Sequence, residues 1–248
     1  MKKNALLFAI LVLCLTASAQ DDGQYFEKEY QFPLALNNGK CVVMGAMDFT
    51  ANNIDDDLIF TNLFMWITDN IGQDKVIKIN HANKIISCKY TAKGTNTFVF
   101  STAFRVTDGH IYVSQSDLKC IPQLSVTKKE TEMEKYAAMK RPADGKIVDE
   151  FNSINNGLLQ EIHDFVATNI PESVTNWDNI ISKRVTEGMT MTETKLALGA
   201  PQSVIEGNSE TQWIYGLSLI VYFDDGKDVD PTTKKIITRE KKVTRILR

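Results

Sequence analysis

The chain has 248 residues, of which 43% are hydrophobic and 24% are charged, and its formal net charge is −3. This composition is typical of a globular protein and excludes a disordered chain, a collagen-like chain and a multi-span membrane protein. The excess of acidic residues argues against nucleic acid as the main partner, because binding to phosphate groups requires a basic surface. The length allows one or two domains.

Residues 1–19 have the features of a secretory signal peptide. Met1–Lys3 is positively charged, residues 5–15 are apolar, and Ala17–Ala19 fits the small-x-small pattern of a cleavage site. The apolar run is too short to cross a bilayer, which takes about 20 residues. Cys14 follows a leucine, whereas a lipoprotein signal needs a small residue there. We therefore expect a soluble, exported chain that begins at Gln20 and is located in the periplasm or outside the cell.

Residues 20–170 are predicted to form an antiparallel sheet with covering helices. Asp55–Asp57 opens an apolar run with helical spacing, and the helix is expected to end at Ile71–Gly72, since acidic residues favour a helix N-terminus. Asp108–Gly109 is a strong hairpin signal. Strands are predicted within residues 25–34, 41–49, 76–79, 85–90, 98–106 and 111–114.

A second helix is predicted after the strands. Apolar residues recur at steps of three and four from Ile147 to Phe165, which is the spacing of an amphipathic helix. We expect this helix to cover one face of the sheet, because a single antiparallel sheet must bury its apolar side. Asp144–Gly145 is expected to separate it from the charged stretch Lys128–Arg141, which is predicted to be a helix or an ordered loop.

Residues 41–120, together with a helix at 147–168, resemble an uncharacterised domain with a TBP-like fold that is common in exported proteins of some Gram-negative bacteria. The resemblance rests on the strand CVVMGAMDF, the helix around Leu63–Ile67, the strand IISCKY and the hairpin RVTDGHIY. The name describes a sheet-and-helix shape, and it does not imply DNA binding, because a fold does not establish a function.

The last part of the chain, residues 171–248, is predicted to be a smaller α+β domain. Trp177–Val185 is expected to form a short helix. Thr190 and Glu193 have the spacing of a capping box at the start of a second helix, which Gly199 is expected to end. Three strands are predicted, at residues 212–216, 219–223 and 243–247.

This constellation resembles the BamE / SmpA-OmlA family. Its motifs are G-M-T at 188–190, L-G-x-P at 198–201, W-x-Y at 213–215 and a Y-F-D-D-G-K turn before the final strand V-T-R-I. The resemblance implies two helices on a three-stranded antiparallel sheet, in exported or envelope proteins that bind other proteins without enzymatic activity. Residues 227–242 are an insertion relative to that pattern, and we expect a longer hairpin or a flexible arm there.

The sequence contains no spacing typical of a metal site, a cofactor site or a catalytic nucleophile. His81 and His110 are expected to be solvated at turns, and His163 is expected at the flank of the second helix. The acidic residues of the turn at 224–230 do not have the spacing of a calcium loop. We therefore predict no catalytic residue, no metal and no cofactor.

The cysteines that remain after export lie in predicted strands and have no C-x-x-C spacing. Cys41, Cys88 and Cys120 are expected to be buried and inert, because free cysteine behaves as a small apolar residue. One disulfide with one free thiol is the alternative in an oxidising compartment.

Two functions remain open. The first is a non-enzymatic binding or structural module of the bacterial cell envelope that contacts an envelope protein, with Trp213 and Tyr215 as candidate binding residues. The second is a carrier of a small apolar ligand held between sheet and helix. Four aromatic residues are the expected lining of that cavity: Phe98, Phe100, Phe104 and Tyr112.

The basic arm at residues 227–248 has two interpretations. It is either a solvated hairpin face or a peripheral contact with anionic lipid or an acidic protein. An integral membrane protein and a nucleic-acid-binding protein are both excluded as hypotheses.

Overall fold

The computed structural model describes residues 31–123, 129–169 and 173–248, and it contains two antiparallel sheets and a hairpin. The larger sheet has the strand order β1-β2-β6-β5-β4-β3, and β7 pairs with β6. Its strands are β1 (Ala35–Asn37), β2 (Lys40–Asp48), β3 (Val76–Asn80), β4 (Ile85–Lys93), β5 (Thr97–Thr107), β6 (His110–Ile121) and β7 (Thr131–Glu132).

Helices cover one face of this sheet, as the sequence predicts. They are α1 (Asp56–Asn70), α2 (Glu134–Ala137) and α3 (Pro142–Thr168). The predicted start and end of α1 are confirmed, because the Asp55 carboxylate accepts from Leu58 N at 2.7 Å and Gly72 has a φ of +100° just beyond the helix. The amide of Asn62 joins α1 to the end of α3 by donating to Val166 O and Asn169 O.

The second part of the chain contains α4 (Trp177–Ile181), α5 (Met191–Leu198) and a four-stranded sheet of order β13-β10-β9-β8. The predicted capping box is confirmed, since the Thr190 hydroxyl accepts from Glu193 N and the Glu193 carboxylate accepts from Thr190 N. Gly199 has a φ of +83° at the end of α5. The strands are β8 (Ser203–Glu206), β9 (Thr211–Tyr215), β10 (Leu219–Phe223) and β13 (Val243–Leu247).

The insertion at residues 227–242 forms the hairpin of β11 (Lys227–Val229) and β12 (Ile236–Thr238). The sequence leaves a longer hairpin and a flexible arm open for this segment, and the residues form the hairpin. Arg239 anchors its base, because its guanidinium donates to the carboxylates of Asp224 and Asp228 at 2.7 and 2.8 Å.

One predicted strand number and two predicted helix boundaries differ from the structure. The small sheet has four strands instead of three, because the exposed segment β8 pairs with the free edge of β9. Helix α4 ends at Ile181, since Lys183 has a φ of +54°, which an α-helix does not allow. Helix α3 begins at Pro142, before Gly145, because proline suits the first helical turn and Asp144 caps the backbone N–H of Arg141.

The first strand begins later in the chain than the sequence predicts. Residues 31–34 run alongside α3 without a strand, because Phe32 N and Leu34 N donate to the side chains of Asn156 and Asn152. The strand of this region is β1, three residues later along the chain. Residues 25–30 lie outside the described part, as do the predicted signal peptide at residues 1–19 and the predicted domain boundary between residues 170 and 171.

Direct contacts join the two parts of the chain. The Gln73 side-chain amide, after α1, donates to Leu196 O in α5 at 2.8 Å, and the Trp177 ring stacks on the ring of His81 at a centroid distance of 4.2 Å. Both parts contribute to one continuous cluster of buried apolar side chains. None of the helices that the structure describes is long and apolar enough to span a membrane.

Candidate functional site

A cleft of about 230 Å³ lies where α1 and α5 meet the smaller sheet. Helix α1 contributes Met65, Thr68 and Asp69, and α5 contributes Met191 and Lys195. Trp213 of β9 forms another wall. The cleft therefore takes its walls from both parts of the chain, and it exists only because the two parts pack together.

Trp213 is the candidate residue that the structure brings to this cleft. Its side chain is largely buried, with 7% of the residue exposed, and its ring packs edge-on against Phe223 at a centroid distance of 4.8 Å. Trp213 is therefore not part of an exposed apolar patch. It instead forms a rigid aromatic wall of a concave site.

Tyr215 lies two residues further along β9 and does not line the cleft. Its hydroxyl donates to Gly199 O at 3.1 Å, which ties β9 to the end of α5. Burial raises the pKa of the Tyr215 hydroxyl well above its usual range, so the hydroxyl stays protonated at physiological pH. This contact is structural, and a binding role for Tyr215 stays a prediction.

Charged groups surround the cleft mouth. Lys195 Nζ and Asp69 Oδ1 form an ion pair at 2.6 Å across the junction of α5 and α1. The carboxylate of Glu240, which also lines the cleft, accepts from Thr192 N in the first turn of α5. Asp69 and Lys195 therefore neutralise each other at the cleft, and the Glu240 carboxylate is engaged with the start of α5.

The floor of the cleft is apolar, with one polar exception. Met65, Met191 and Trp213 supply flexible thioethers and an aromatic face, a combination that adapts to apolar guests. The hydroxyl oxygen of Thr68 is buried and has no hydrogen-bond partner among the residues that the structure describes. The apolar part of this lining suits an apolar guest, and the buried Thr68 oxygen is not accessible to it.

Most of the residues at this site carry no recognisable signal in the sequence. Met65, Thr68 and Asp69 are ordinary positions of a predicted helix, and Glu240 lies in the basic arm, so no local motif marks them. The available signal was the width of the apolar surface of α1. Its apolar side chains occupy more of the helix surface than one sheet can cover. The remaining apolar surface contacts the second part of the chain, where the Phe60 and Trp177 rings pack at a centroid distance of 5.4 Å.

The histidines do not converge on one site. His81 is half-buried instead of solvated, because its ring is stacked on Trp177, and burial lowers its pKa although Asp57 acts in the opposite direction. His110 Nδ1 lies 2.7 Å from Asp108 O in its own hairpin turn. His163 stacks on Phe49 at 4.9 Å. No group of metal-ligating side chains is present in residues 31–123, 129–169 and 173–248.

The ring of His81 borders a second, more open depression of about 640 Å³. Asp55, Asp57 and Thr61 line its other side. The two carboxylates already have partners, since Asp55 caps α1 and Asp57 lies 3.1 Å from Lys84 Nζ. This depression therefore offers a weaker case for a binding site than the cleft at Trp213, which takes its lining from both parts of the chain.

Three of the four aromatic residues expected to line a carrier cavity are buried on the helix-covered face of β5. Phe98 and Phe100 pack edge-on against Phe151 at centroid distances of 5.5 and 5.7 Å, and Phe104 is 2% exposed. The prediction for Tyr112 is wrong. Alternation along β6 buries Ile111 and Val113 and turns Tyr112 to the opposite face of the sheet.

Several cations of the arm have acidic or aromatic partners. Arg239 binds Asp224 and Asp228, Lys241 Nζ lies 3.0 Å from Glu206, and the Arg245 guanidinium lies 3.9 Å above the Tyr222 ring. Arg239 also holds the pKa of the Asp224 carboxyl below its usual range. The acidic turn at residues 224–230 thus forms ion pairs with the basic arm.

The cysteine thiols are free and buried, and we expect them to be unreactive in the folded protein. Burial raises the pKa of Cys41 and Cys120 to about 11 and that of Cys88 to about 12. At pH 8 the thiolate fraction of each is then on the order of a thousandth or less. Iodoacetamide should leave all three unmodified in the native protein and modify all three in denaturant, which intact mass analysis measures. Alkylation of the native chain, or a mass loss that marks a disulfide, would contradict this expectation.

No family model matches the sequence, and no curated protein matches it. The matches among solved structures include two proteins of low sequence identity. A TBP-like protein from Parabacteroides distasonis is 15% identical, with a TM-score of 0.47 over 55% of this chain and 98% of its own. A DUF4468 family protein from Bacteroides ovatus is 10% identical, with a TM-score of 0.40 over 63% of this chain and 100% of its own.

The protein is a mixed helix and antiparallel-sheet protein. The BamE-like resemblance has no counterpart in the comparisons and stays a prediction.

Proposed function

We propose that this protein is an exported, non-enzymatic binding module of the bacterial cell envelope that acts through protein–protein contacts. The observation that carries the proposal is the cleft at Trp213, which is concave and amphipathic and is built from both parts of the chain. Export is supported by the signal-peptide features of residues 1–19.

The size of the cleft favours one side chain of a protein over a free ligand. Small-molecule sites usually have volumes of about 300–1,000 Å³, whereas this cleft measures about 230 Å³. The alternative, a carrier of an apolar ligand between sheet and helix, has less support, because Phe98 and Phe100 pack directly on Phe151. The cleft chemistry also favours binding over catalysis, since its amine, Lys195, is held in an ion pair.

We further propose that residues 171–248 form a BamE-like module attached to a TBP-like domain. The capping box of Thr190 and Glu193, the turn at Gly199 and the contact of Tyr215 with Gly199 O support it. In this arrangement the W-x-Y motif places Trp213 at the cleft and Tyr215 at the helix end.

Capture from detergent-solubilised envelope tests the proposed function. We expect the protein to retain one envelope protein in near-stoichiometric amount and to lose it on Trp213→Ala. Because Trp213 is in the core, a second variant, Met191→Trp, fills the cleft while keeping the indole wall. Its matched control is Leu217→Trp, which adds the same side chain at a fully exposed turn.

Each outcome of the capture experiment has a defined meaning. Loss of the partner with Met191→Trp and retention with Leu217→Trp support the cleft as the binding site. Equal capture by both variants contradicts the cleft. A small apolar molecule retained without any protein contradicts the proposed function and favours the carrier.

Peripheral contact with anionic lipid is a second candidate activity, and the tip of the β11–β12 hairpin favours it. Val229 and Ile236 are cross-strand neighbours with exposures of 62% and 69%, and Lys234 and Lys235 lie beside them. Each lysine near an anionic bilayer is worth about 1 kcal/mol. We expect Lys234→Gln/Lys235→Gln to weaken binding to anionic phospholipid vesicles about thirtyfold.

Vesicle co-sedimentation measures this effect. The matched control is Lys140→Gln/Lys146→Gln, which removes two exposed lysines near the start of α3. The hairpin is not a lipid contact if the control and the hairpin variant bind equally, or if uncharged vesicles bind the protein as well as anionic ones.

A further inference from the structure

We propose that β8 is a dimerisation strand, which pairs antiparallel with β8 of a second copy of this chain. None of the residues of β8 lines the cleft at Trp213, so this dimer goes beyond the function proposed above. The pairing follows from the free backbone edge of β8, from the side chains along it and from the two-fold symmetry that they allow.

β8 is an unprotected edge of the smaller sheet. Among the strands that the structure describes, it pairs with β9 alone, in an unbroken register from Ser203 to Glu206. The segment contains no proline, no lysine and no bulge, which are features that protect an edge strand from pairing with another chain. All of its residues are exposed, and Val204 and Ile205 have exposures of 47% and 49%.

The other edges of the two sheets are less open to an added strand. At the opposite edge of the smaller sheet, residues 188–190 cover the start of β13, since Gly188 N donates to Val243 O and Val243 N donates to Met189 O. In the larger sheet, β1 has three residues, and β3 contains Lys78 at a register shift. Within the described part of the chain, β8 is therefore the edge best suited to pairing.

The turn after β8 determines which backbone groups point away from the sheet. Gly207 N donates to Glu210 O at 2.9 Å, which makes these two residues a hydrogen-bonded pair of the ladder between β8 and β9. In an antiparallel ladder, hydrogen-bonded pairs alternate with non-hydrogen-bonded pairs. Ile205 therefore directs its N–H and C=O towards β9, whereas Val204 and Glu206 direct theirs towards the free edge.

A second β8 satisfies these groups when the two-fold axis passes between the two Ile205 residues. In that register Val204 of each copy lies opposite Glu206 of the other, and each such pair exchanges N–H···O bonds in both directions. The two Ile205 side chains meet on the sheet face opposite to Trp213, because neighbouring residues of a strand alternate between faces. Glu206 already pairs with Lys241 of its own copy, and no like charges lie directly opposite each other.

The pairing also joins two apolar rows. On the same sheet face as Ile205, the side chains of Ile214, Ile220 and Leu247 lie side by side, because Ile220 is the cross-strand neighbour of both others. Leu247 is 45% exposed, so this face is not fully covered among the described residues. In the dimer the two Ile205 side chains connect the rows of the two copies.

Sedimentation velocity of the purified protein at a series of concentrations tests for the dimer. Because the paired segment is short, we expect a weak dimer with a Kd on the order of 10⁻⁴ M, so the sedimentation coefficient should rise between about 10 and 500 μM. Ile205→Lys places two lysines opposite each other and should weaken dimerisation about tenfold. Ile77→Lys, at an exposed isoleucine of the edge strand β3, is the matched control and should dimerise like the wild type.

Cysteine cross-linking tests the register. Opposite residues of a non-hydrogen-bonded antiparallel pair have Cα atoms about 4.5 Å apart, a distance that a disulfide can bridge. We expect Ile205→Cys to form a disulfide-linked dimer when diamide accepts the two electrons of the paired thiols, as non-reducing electrophoresis shows. Ser203→Cys is the control, because it lies opposite Gly207 in this register and should cross-link at least about tenfold more slowly. The wild type gives the background from the native cysteines, which are buried in the folded chain.

Three results would overturn the proposed pairing. They are a monomer at every concentration, a dimer that Ile205→Lys leaves as stable as the wild type, and equal cross-linking of Ser203→Cys and Ile205→Cys. Both substituted positions are exposed, so we expect the variants to fold, and far-UV circular dichroism checks this.

Discussion

Phe151→Ala should lower the free energy of unfolding by about 3–5 kcal/mol, the usual cost of truncating a buried phenylalanine. Phe151 lies in the middle of α3 and is 1% exposed. Its ring packs edge-on against both Phe98 and Phe100 of β5, so alanine would open a void between the helix and the sheet. Chemical denaturation, followed by circular dichroism and tryptophan fluorescence, measures the loss.

Asp149→Ala is the control for this prediction, because Asp149 is exposed on the same helix and alanine suits a helix. It should change the free energy of unfolding by less than about 0.5 kcal/mol. The prediction also separates the two functions. A carrier with a cavity at this interface would tolerate Phe151→Ala with a small loss, since the void would extend a space that already exists. A loss below about 1 kcal/mol would therefore contradict the packed interface.

The first part of the fold follows from sequence patterns where the signal is local or periodic. The apolar stripe from Ile147 to Phe165 predicts α3 and its buried face, and the structure buries Phe151, Leu158 and Ile162 of that stripe. Each of these signals depends on residues close together in the sequence. The local structure that they favour is retained in the folded protein because tertiary contacts favour it too.

Elements set by tertiary contacts were not predictable in the same way. The exposed segment β8 has no apolar alternation and becomes a strand because the edge of β9 is free to pair with it. Phe32 was expected in a strand, but its ring lies against Gly45, where a Cβ would overlap it. Because Gly45 of β2 has no side chain, the Phe32 ring can pack against the backbone there. No residue near Phe32 in the sequence indicates this contact.

The candidate site also combines residues that a local pattern places with residues that only tertiary contacts bring together. The W-x-Y motif places Trp213 and Tyr215 on one face of β9, since alternate residues of a strand share a face. Which structure covers that face depends on how α1 and α5 pack, so the sequence alone does not show that Trp213 forms a cleft wall. The ion pair of Asp69 and Lys195 joins residues more than a hundred positions apart, and no spacing rule connects them.

The two parts of the chain are held together by polar contacts as well as by apolar packing, and this matters for the cleft. Gln73 is 5% exposed and its amide donates to the last turn of α5, so the distance between α1 and α5 is fixed on the buried side. The Asp69–Lys195 pair fixes the same two helices on the solvent side. The cleft lies between rigid walls, and preorganisation of this kind lowers the entropic cost of binding.

Glu193→Ala should lower the free energy of unfolding at pH 7 by about 3 kcal/mol, because it leaves several buried donors without an acceptor. Glu193 is 1% exposed. Its carboxylate accepts from the backbone N–H groups of Thr175, Asn176 and Thr190 and from the side chains of Thr175 and Asn176. It thereby fixes the segment before α4 to the start of α5. Glu187→Ala, at an exposed site nearby, is the control and should have little effect.

The same carboxylate should make stability sensitive to acid. Burial by itself raises the pKa of Glu193, but the hydrogen bonds from Thr175, Thr190 and Asn176 outweigh it and hold the pKa below the ordinary value of 4.5. A lowered folded-state pKa stabilises the folded protein above that ordinary value, and this stabilisation is lost as the pH falls through the folded-state pKa. The difference in unfolding free energy between wild type and Glu193→Ala should therefore be constant near neutral pH and shrink below pH 4.5. Urea denaturation at a series of pH values measures it. A difference that stays constant into acid would show that the charge of Glu193 does not stabilise this junction, and that only the volume of its side chain does.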